Sequence, residues 1–392
     1  MHASIILSAL FSSSLATIYQ IPLQIFEPRT TLTTETVNAN LGAESVCDIS
    51  IGTPGKKFKV KLDLTTTDFW VPDYTCAASI KEICDLSKCD HGQICDIFCP
   101  DKSCCESNPM PRRLNACRGK SYFDQKTSGT YVETNQRFNK TGVKSAAGFY
   151  GNDTIRLGDH GADQLALSNI KFGQATQLGF YFVGTPYDGV FGLAFSALSK
   201  DNYVPPFEQA YNRRLVDPVF TLFMEKNGGG GAITFGGLDK QHCGGVLAYE
   251  KLTLAKHWQF RMNTFSSPKF FSKNGWDVMI DNSYPFLGIP NYLAHRIARE
   301  SGAEYDEETD SYYINCDAKF TYFMGIGNQN YTLESSDLIK RIEDGRCILT
   351  AHRYTKDGWL GAEWVFGIPF IKKYCHIFDM QNKKIGFAPP LN

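Results

Sequence analysis

Residues 46–73 read as strand, turn, strand: an alternating run of apolar and polar side chains, the turn Gly52-Thr53-Pro54-Gly55, and a second run from Phe58 to Val71. From Tyr122 to about Gly237 short strand-like runs recur, separated by glycines. Residues 207–215 carry helical spacing, and Asn291–Glu300 reads as a helix that starts just after Pro290. The four glycines at 228–231 lie between two strand-like segments. No Gly-Lys-Ser/Thr follows them, so they read as a hairpin turn and not as a phosphate-cradling loop. The pattern predicts a mostly β chain with few short helices.

Two stretches depart from it. Residues 5–11 (Ile-Ile-Leu-Ser-Ala-Leu-Phe) are an apolar run followed by the small residues of Ser14-Leu15-Ala16, which reads as a secretory signal peptide over residues 1–16. Residues 77–116 hold six cysteines (Cys84, Cys89, Cys95, Cys99, Cys104, Cys105) among charged and polar side chains with few large aliphatics. A segment so poor in core residues needs staples. Zinc ligation competes with disulfides here, and secretion favours disulfides. Cys76 and Cys117 flank the segment and can close it as a loop; six cysteines allow 15 pairings, among which sequence cannot choose.

Composition narrows the function classes. The 392 residues are 43% hydrophobic and 21% charged, a globular balance with room for two cores. Forty basic and 41 acidic residues give a net charge of −1, which argues against a nucleic-acid partner. After the N-terminus no apolar run approaches membrane-spanning length, so no membrane association is expected. Eight histidines show no paired metal-ligand spacing, and no Gly-X-Ser-X-Gly is present; neither a metal, another cofactor nor a serine nucleophile is expected. Asn-X-Ser/Thr sequences at Asn139, Asn152 and Asn330 are candidate glycosylation sites.

The chain also repeats itself. Leu62-Asp63 leads to Phe69-Trp70-Val71-Pro72, and Ile280-Asp281 leads to Phe286-Leu287-Gly288-Ile289-Pro290, with the proline nine residues after the aspartate in both. Each is followed by a similar tetrad, Phe191-Gly192-Leu193-Ala194 and Phe366-Gly367-Ile368-Pro369. Two lobes built alike, each offering one aspartate, follow from this spacing.

These residues resemble the pepsin-like aspartic proteases, the family of pepsin and cathepsin D. The resemblance runs from about residue 46 to 390. It rests on Ile51-Gly52-Thr53-Pro54, Asp63 with Trp70-Val71-Pro72, and Asp188-Gly189-Val190-Phe191-Gly192-Leu193-Ala194. Phe235-Gly236-Gly237-Leu238-Asp239 and the closing Phe378-Asp379 and Ile385-Gly386-Phe387-Ala388 extend it. It implies a bilobal β fold with a peptide cleft: an N-terminal lobe over residues 46–226 carrying the cysteine-rich insertion, and a C-terminal lobe over 227–392. Residues 17–45 are then a short N-terminal segment. The resemblance pairs Cys316 with Cys347 and Cys76 with Cys117. Cys243 and Cys375 fall outside the pairs it supplies and are expected to bond each other, leaving Cys47 over.

In the family two aspartates share one proton, because like charges at that distance cannot both ionise. The ionised one takes a proton from water as the water attacks the peptide carbonyl; the protonated one donates to the carbonyl oxygen. Asp63 and Asp281 are the candidates, expected to face each other. The family motif is Asp-Thr/Ser-Gly-Thr/Ser: the first hydroxyl ties the two loops, glycine permits close approach, and the last hydroxyl bonds the outer carboxylate oxygen. This chain departs from it in both loops. Asp63-Leu64-Thr65-Thr66 lacks the first hydroxyl and the glycine but keeps Thr66. Asp281-Asn282-Ser283-Tyr284 offers an amide for the first hydroxyl, serine for glycine, and a large Tyr284 where a small hydroxyl belongs. The flap hairpin, with a tyrosine before a glycine in the family, aligns with Thr141-Gly142, or with Phe138 if the hairpin is longer. Between the signal peptide and Ile51 only Arg29 is basic, so the basic prosegment of family zymogens has no counterpart.

The expectation is a secreted or lysosomal monomer with a peptide- or protein-binding cleft, lined by Thr66, Trp70, Thr141, Gly142 and Tyr284, in which catalysis is impaired or lost. An active acid endopeptidase and a non-catalytic binding module are the alternatives.

Overall fold

The computed structural model describes residues 18–26, 44–78, 97–98, 116–158, 164–199, 203–228, 230–342, 344–355 and 361–391. The signal-peptide reading and all six insertion cysteines lie outside them.

The expected opening hairpin is β2 (Glu44–Ile51) and β3 (Lys56–Asp63), following an earlier strand, β1 (Tyr19–Phe26). Gly52 turns the chain at φ +93°, a conformation that favours glycine. Asp63 ends β3; the chain loops and returns as β4 (Phe69–Pro72). Next come the hairpin β5 (Val132–Lys140) and β6 (Ala146–Leu157), then β7 (Leu165–Leu178) and β8 (Gly189–Gly192). β8 runs parallel to β3, with Asp63 opposite Gly192, and antiparallel to β4.

The C-terminal half repeats this. Trp276–Ile280 leads into the Asp281 loop and returns as Leu287–Pro290. Trp364–Phe366 runs parallel to the first, with Ile280 opposite Phe366, and antiparallel to the second. β4 pairs in parallel with β7 as Leu287–Pro290 does with Ala351–Tyr354. The repeated Asp-to-Pro spacing is thus one motif folded twice: strand, aspartate loop, strand, and a later strand threading between them.

An antiparallel sheet joins the halves. β1 pairs β10 (Gly230–Phe235), which pairs β9 (Val219–Met224); the sheet continues through Cys375–Asp379 and Lys384–Ala388 to Ala248–Leu254. The closing motif residues form its core. Phe220 stacks on Phe378 at 4.6 Å, and Trp258 lies edge-on to Phe378 at 4.7 Å. Residue 227, where the lobes were expected to meet, falls in the turn between β9 and β10, inside this shared sheet. β1 belongs to the same sheet: Gln20 donates to buried Asp239, which also holds His242.

The predicted helix Asn291–Glu300 is present with those bounds, burying Leu293, Ala294, Ile297 and Ala298. The other is Pro206–Asn212, shorter than expected, because Arg214 adopts φ +59° and turns the chain out of the helix. Cys76–Cys117, Cys243–Cys375 and Cys316–Cys347 are all bonded, and Cys47 is free and buried in β2. Burial pushes the Cys47 thiol up to about 12, so it is an inert core residue.

Candidate active site

Both aspartates sit where a strand end meets a threading strand. The glycine of each threading segment is fixed by packing. A Cβ on Gly192 would meet the Thr66 carbonyl oxygen at 2.4 Å, and one on Gly367 the Tyr284 carbonyl oxygen at 2.2 Å. These glycines let backbone pass beneath an aspartate loop, so their presence is a requirement of the fold rather than of chemistry.

The two loops touch. Asn282 Oδ1 accepts from the Leu64 N–H at 3.1 Å, and its Nδ2 donates to the Leu62 carbonyl at 2.8 Å. Leu62 and Leu64 flank Asp63, and Asn282 follows Asp281, so one buried amide ties both loops. Leu64, which has no hydroxyl, contributes its backbone N–H instead and buries its side chain.

The positions where glycine was expected hold ordinary backbone. Neither Thr65 nor Ser283 has a positive φ, so the loops do not require glycine on torsional grounds. In each loop the residue two after the aspartate donates its N–H to the carboxylate Oδ1: Thr65 at 2.9 Å, Ser283 at 2.8 Å. The side chains then diverge. The Thr65 hydroxyl donates to the same Asp63 Oδ1 at 2.6 Å. The Ser283 hydroxyl is buried without a hydrogen-bond partner.

Electrostatics separates the carboxyls. Burial opposes charge on Asp63, but Lys61, then Lys144 and the two Thr65 bonds, outweigh it and hold Asp63 below the usual carboxylate range. Asp281 is pushed above that range by burial and by the Asp63 charge. The two carboxyls are therefore shifted in opposite directions, Asp63 toward its charged form and Asp281 toward its protonated form.

The remaining candidates are scattered around this centre. Thr66 Oγ1 accepts from the Asp68 N–H at 3.1 Å, within its own loop. Trp70 is 4% exposed and packs edge-on against Phe182 at 5.0 Å, so it backs the site from the core. Tyr284 turns its ring against Phe286 and Tyr354 instead of supplying a small donor to Asp281. Thr141 and Gly142 sit at the exposed tip of the β5–β6 hairpin, Gly142 with φ +105°. Phe138, the alternative flap position, is buried against Tyr150 in the sheet. A Lys140–Asp68 ion pair of 2.7 Å links the hairpin to the Asp63 loop. Of the candidate glycosylation sites, Asn139 and Asn330 are exposed. Asn152 is half-buried and donates to Asn169 at 3.0 Å.

Sequence reading missed Lys61, Glu44, Lys144 and His257. Lys61 was legible in principle, since the alternation of β3 puts it on the same face as Asp63. His257, buried on the C-terminal side of the junction, is held below its ordinary value by burial and by Lys256, against the pull of Asp63.

The strand-threaded twin loops, the paired aspartates and the shared sheet define an aspartic-protease architecture, and comparison with known proteins agrees. A sequence model described as Eukaryotic aspartyl protease matches residues 45–390. The chain is 40% identical over 353 residues to Aspartic protease 2 of Necator americanus, covering 88% of this chain and 83% of that protein. It is 32% identical to Aspartic protease 6 of Caenorhabditis elegans (89% and 82%) and 27% identical to Pepsin A of Gallus gallus (87% and 83%). The chain belongs to the eukaryotic aspartyl protease family, with the bilobal pepsin-like fold, and peptides or proteins are the substrate class of that family. Among the described residues no helix is long and apolar enough to cross a membrane.

Proposed function

We propose that this chain binds extended peptides across Asp63 and Asp281 and hydrolyses them slowly or not at all. The observation that carries this is the Thr65 hydroxyl on Asp63 Oδ1. In the family reaction an ionised carboxylate must take a proton from the attacking water, and its strength as a base follows its pKa. Asp63 Oδ1 already accepts two bonds from Thr65, so that oxygen is occupied before water arrives. A carboxylate so satisfied is a weak base with less room for water. The unpartnered Ser283 hydroxyl and the Tyr284 ring support the same reading on the Asp281 side, since neither replaces the donor that the family motif supplies.

A second reading, an active acid endopeptidase, is favoured by the two Asn282 bonds and by the opposite shifts of the aspartates. The three disulfides support an oxidising compartment for either reading. Calorimetric titration with a peptide carrying a tetrahedral hydroxyl in place of the scissile amide tests the proposal. Saturable binding that Asp63→Asn weakens, with the corresponding ordinary peptide recovered intact, is the expected result. No binding at any acid pH would sink it; complete turnover of the ordinary peptide would replace it with the second reading.

A further inference from the structure

Lys61 is 2% exposed, an unusual place for an ammonium unless counter-charges surround it. On β3 it stands two residues before Asp63, hence on the same face and about 7 Å along the strand. It pairs with Glu44 of β2 at 3.4 Å, diagonally across the ladder from its partner Val46. Glu44 is braced in turn: the hydroxyls of Tyr181 and Tyr187 each donate to its Oε1 at 3.2 Å. The Tyr187 ring also faces the Lys61 ammonium at 5.9 Å. This is a built arrangement of four residues from three segments, and the peptide chemistry of the family has no use for Glu44 and Lys61 as reacting groups.

We propose that Lys61 is a positioning residue: its buried ammonium, anchored by Glu44, keeps the negative charge of the aspartate pair on Asp63 and the shared proton on Asp281. Among the described residues, Tyr284 of the Asp281 loop, Lys144 and His257 also act on the pair. Lys144 comes from the β5–β6 hairpin, with its ammonium over the Tyr181 ring at 5.1 Å, and His257 from the C-terminal half. Both lysines act on both aspartates, but Lys61 is the stronger on Asp63 and the weaker on Asp281, and Lys144 is exposed. Solvent screens such a charge; burial protects that of Lys61. Lys61 therefore fixes the polarity of the pair whether or not a ligand covers it. The inference rests on the two aspartates sharing a proton, and not on whether the cleft cuts peptides.

The test is a carbon-13 NMR titration of the aspartate carboxyls in the intact protein, assigned with Asp63→Asn and Asp281→Asn. In Lys61→Met the Asp63 midpoint should rise by about one pH unit, the size of effect expected from losing one nearby opposite charge. Lys61→Arg should hold the wild-type midpoint. The double variant Lys61→Met/Glu44→Gln, which leaves no unpaired buried charge, covers the case in which Lys61→Met does not fold; its Asp63 midpoint should also rise. An Asp63 midpoint unchanged in both folded variants overturns the role of Lys61. Midpoints for Asp63 and Asp281 that ignore each other in the wild type would instead overturn the shared proton, a distinct failure.

Discussion

The two aspartate loops sit on the same scaffold and carry different chemistry. Each is entered by one strand, left by another and threaded by a third, and each has a glycine pressed against its carbonyl oxygens. Beyond that the likeness ends. Asp63 receives two bonds from Thr65 and the field of Lys61. Asp281 receives one N–H, above a silent serine hydroxyl and beside an aromatic cluster. Among the described residues one side chain, Asn282, makes the tie between the loops. The difference teaches that packing holds the scaffold in place while the groups that tune the carboxyls are free to drift.

The scaffold comparison breaks first if the glycines are not equivalent. Gly192→Ala and Gly367→Ala each force a Cβ onto backbone oxygens that cannot move aside. Each should cost about 3 kcal/mol or more in denaturant unfolding, or prevent folding. A harmless Gly367→Ala beside a damaging Gly192→Ala would show that the two crossings are not twins.

The tie comes next. Asn282→Ala leaves the buried Leu64 N–H and Leu62 carbonyl without partners, at roughly 1–3 kcal/mol for each unsatisfied group. A loss of about 2 kcal/mol or more is expected by urea titration. Ser283→Ala removes a buried hydroxyl that bonds nothing, so it should be neutral or stabilising by up to about 1 kcal/mol. A clear loss in Ser283→Ala would reveal a partner for that hydroxyl and narrow the contrast with Thr65.

The smallest effects are those of pH on stability, and the two loops should show opposite signs. Asp63 lies below its ordinary value in the folded chain. Its contribution is present above the unfolded pKa and is lost as pH falls through the folded one. Asp281 lies above its ordinary value, so its contribution is full below the unfolded pKa and is lost as pH rises through the folded one. Asp63→Asn should flatten the acid loss of stability, and Asp281→Asn should remove a penalty at neutral pH. Denaturant midpoints measured across the acid range decide the matter, and equal signs for both substitutions would contradict the separation.

Much of this was legible in the sequence. The nine-residue interval from aspartate to proline foretold the twin loops because strand, loop and return strand have fixed lengths in each half. Asn291–Glu300 was visible from its start just after Pro290. The Cys243–Cys375 bond followed from assigning the other pairs. The rest depended on three-dimensional neighbours. Nothing in the string Asp-Leu-Thr-Thr says that the threonine hydroxyl turns back onto the carboxylate, or that its backbone torsions spare the need for glycine. Nor does it show Trp70 packed behind the site, since a buried wall and a contact surface use the same aromatic residues. Lys61 escaped notice because a lysine in an alternating strand reads as solvent-facing until Glu44, over a dozen residues earlier, is brought beside it.

The central claim is that an intact scaffold holds a blunted pair of carboxyls, and cleavage tests it most directly. Purified mature protein should show little or no hydrolysis of a quenched peptide between about pH 3 and 6. Thr65→Gly combined with Ser283→Gly and Tyr284→Thr should raise kcat/KM at least tenfold, about 1.4 kcal/mol of transition-state stabilisation. Vigorous cleavage by the unaltered chain, abolished by Asp63→Asn or Asp281→Asn and not improved by freeing Asp63 from the Thr65 hydroxyl, would contradict the account.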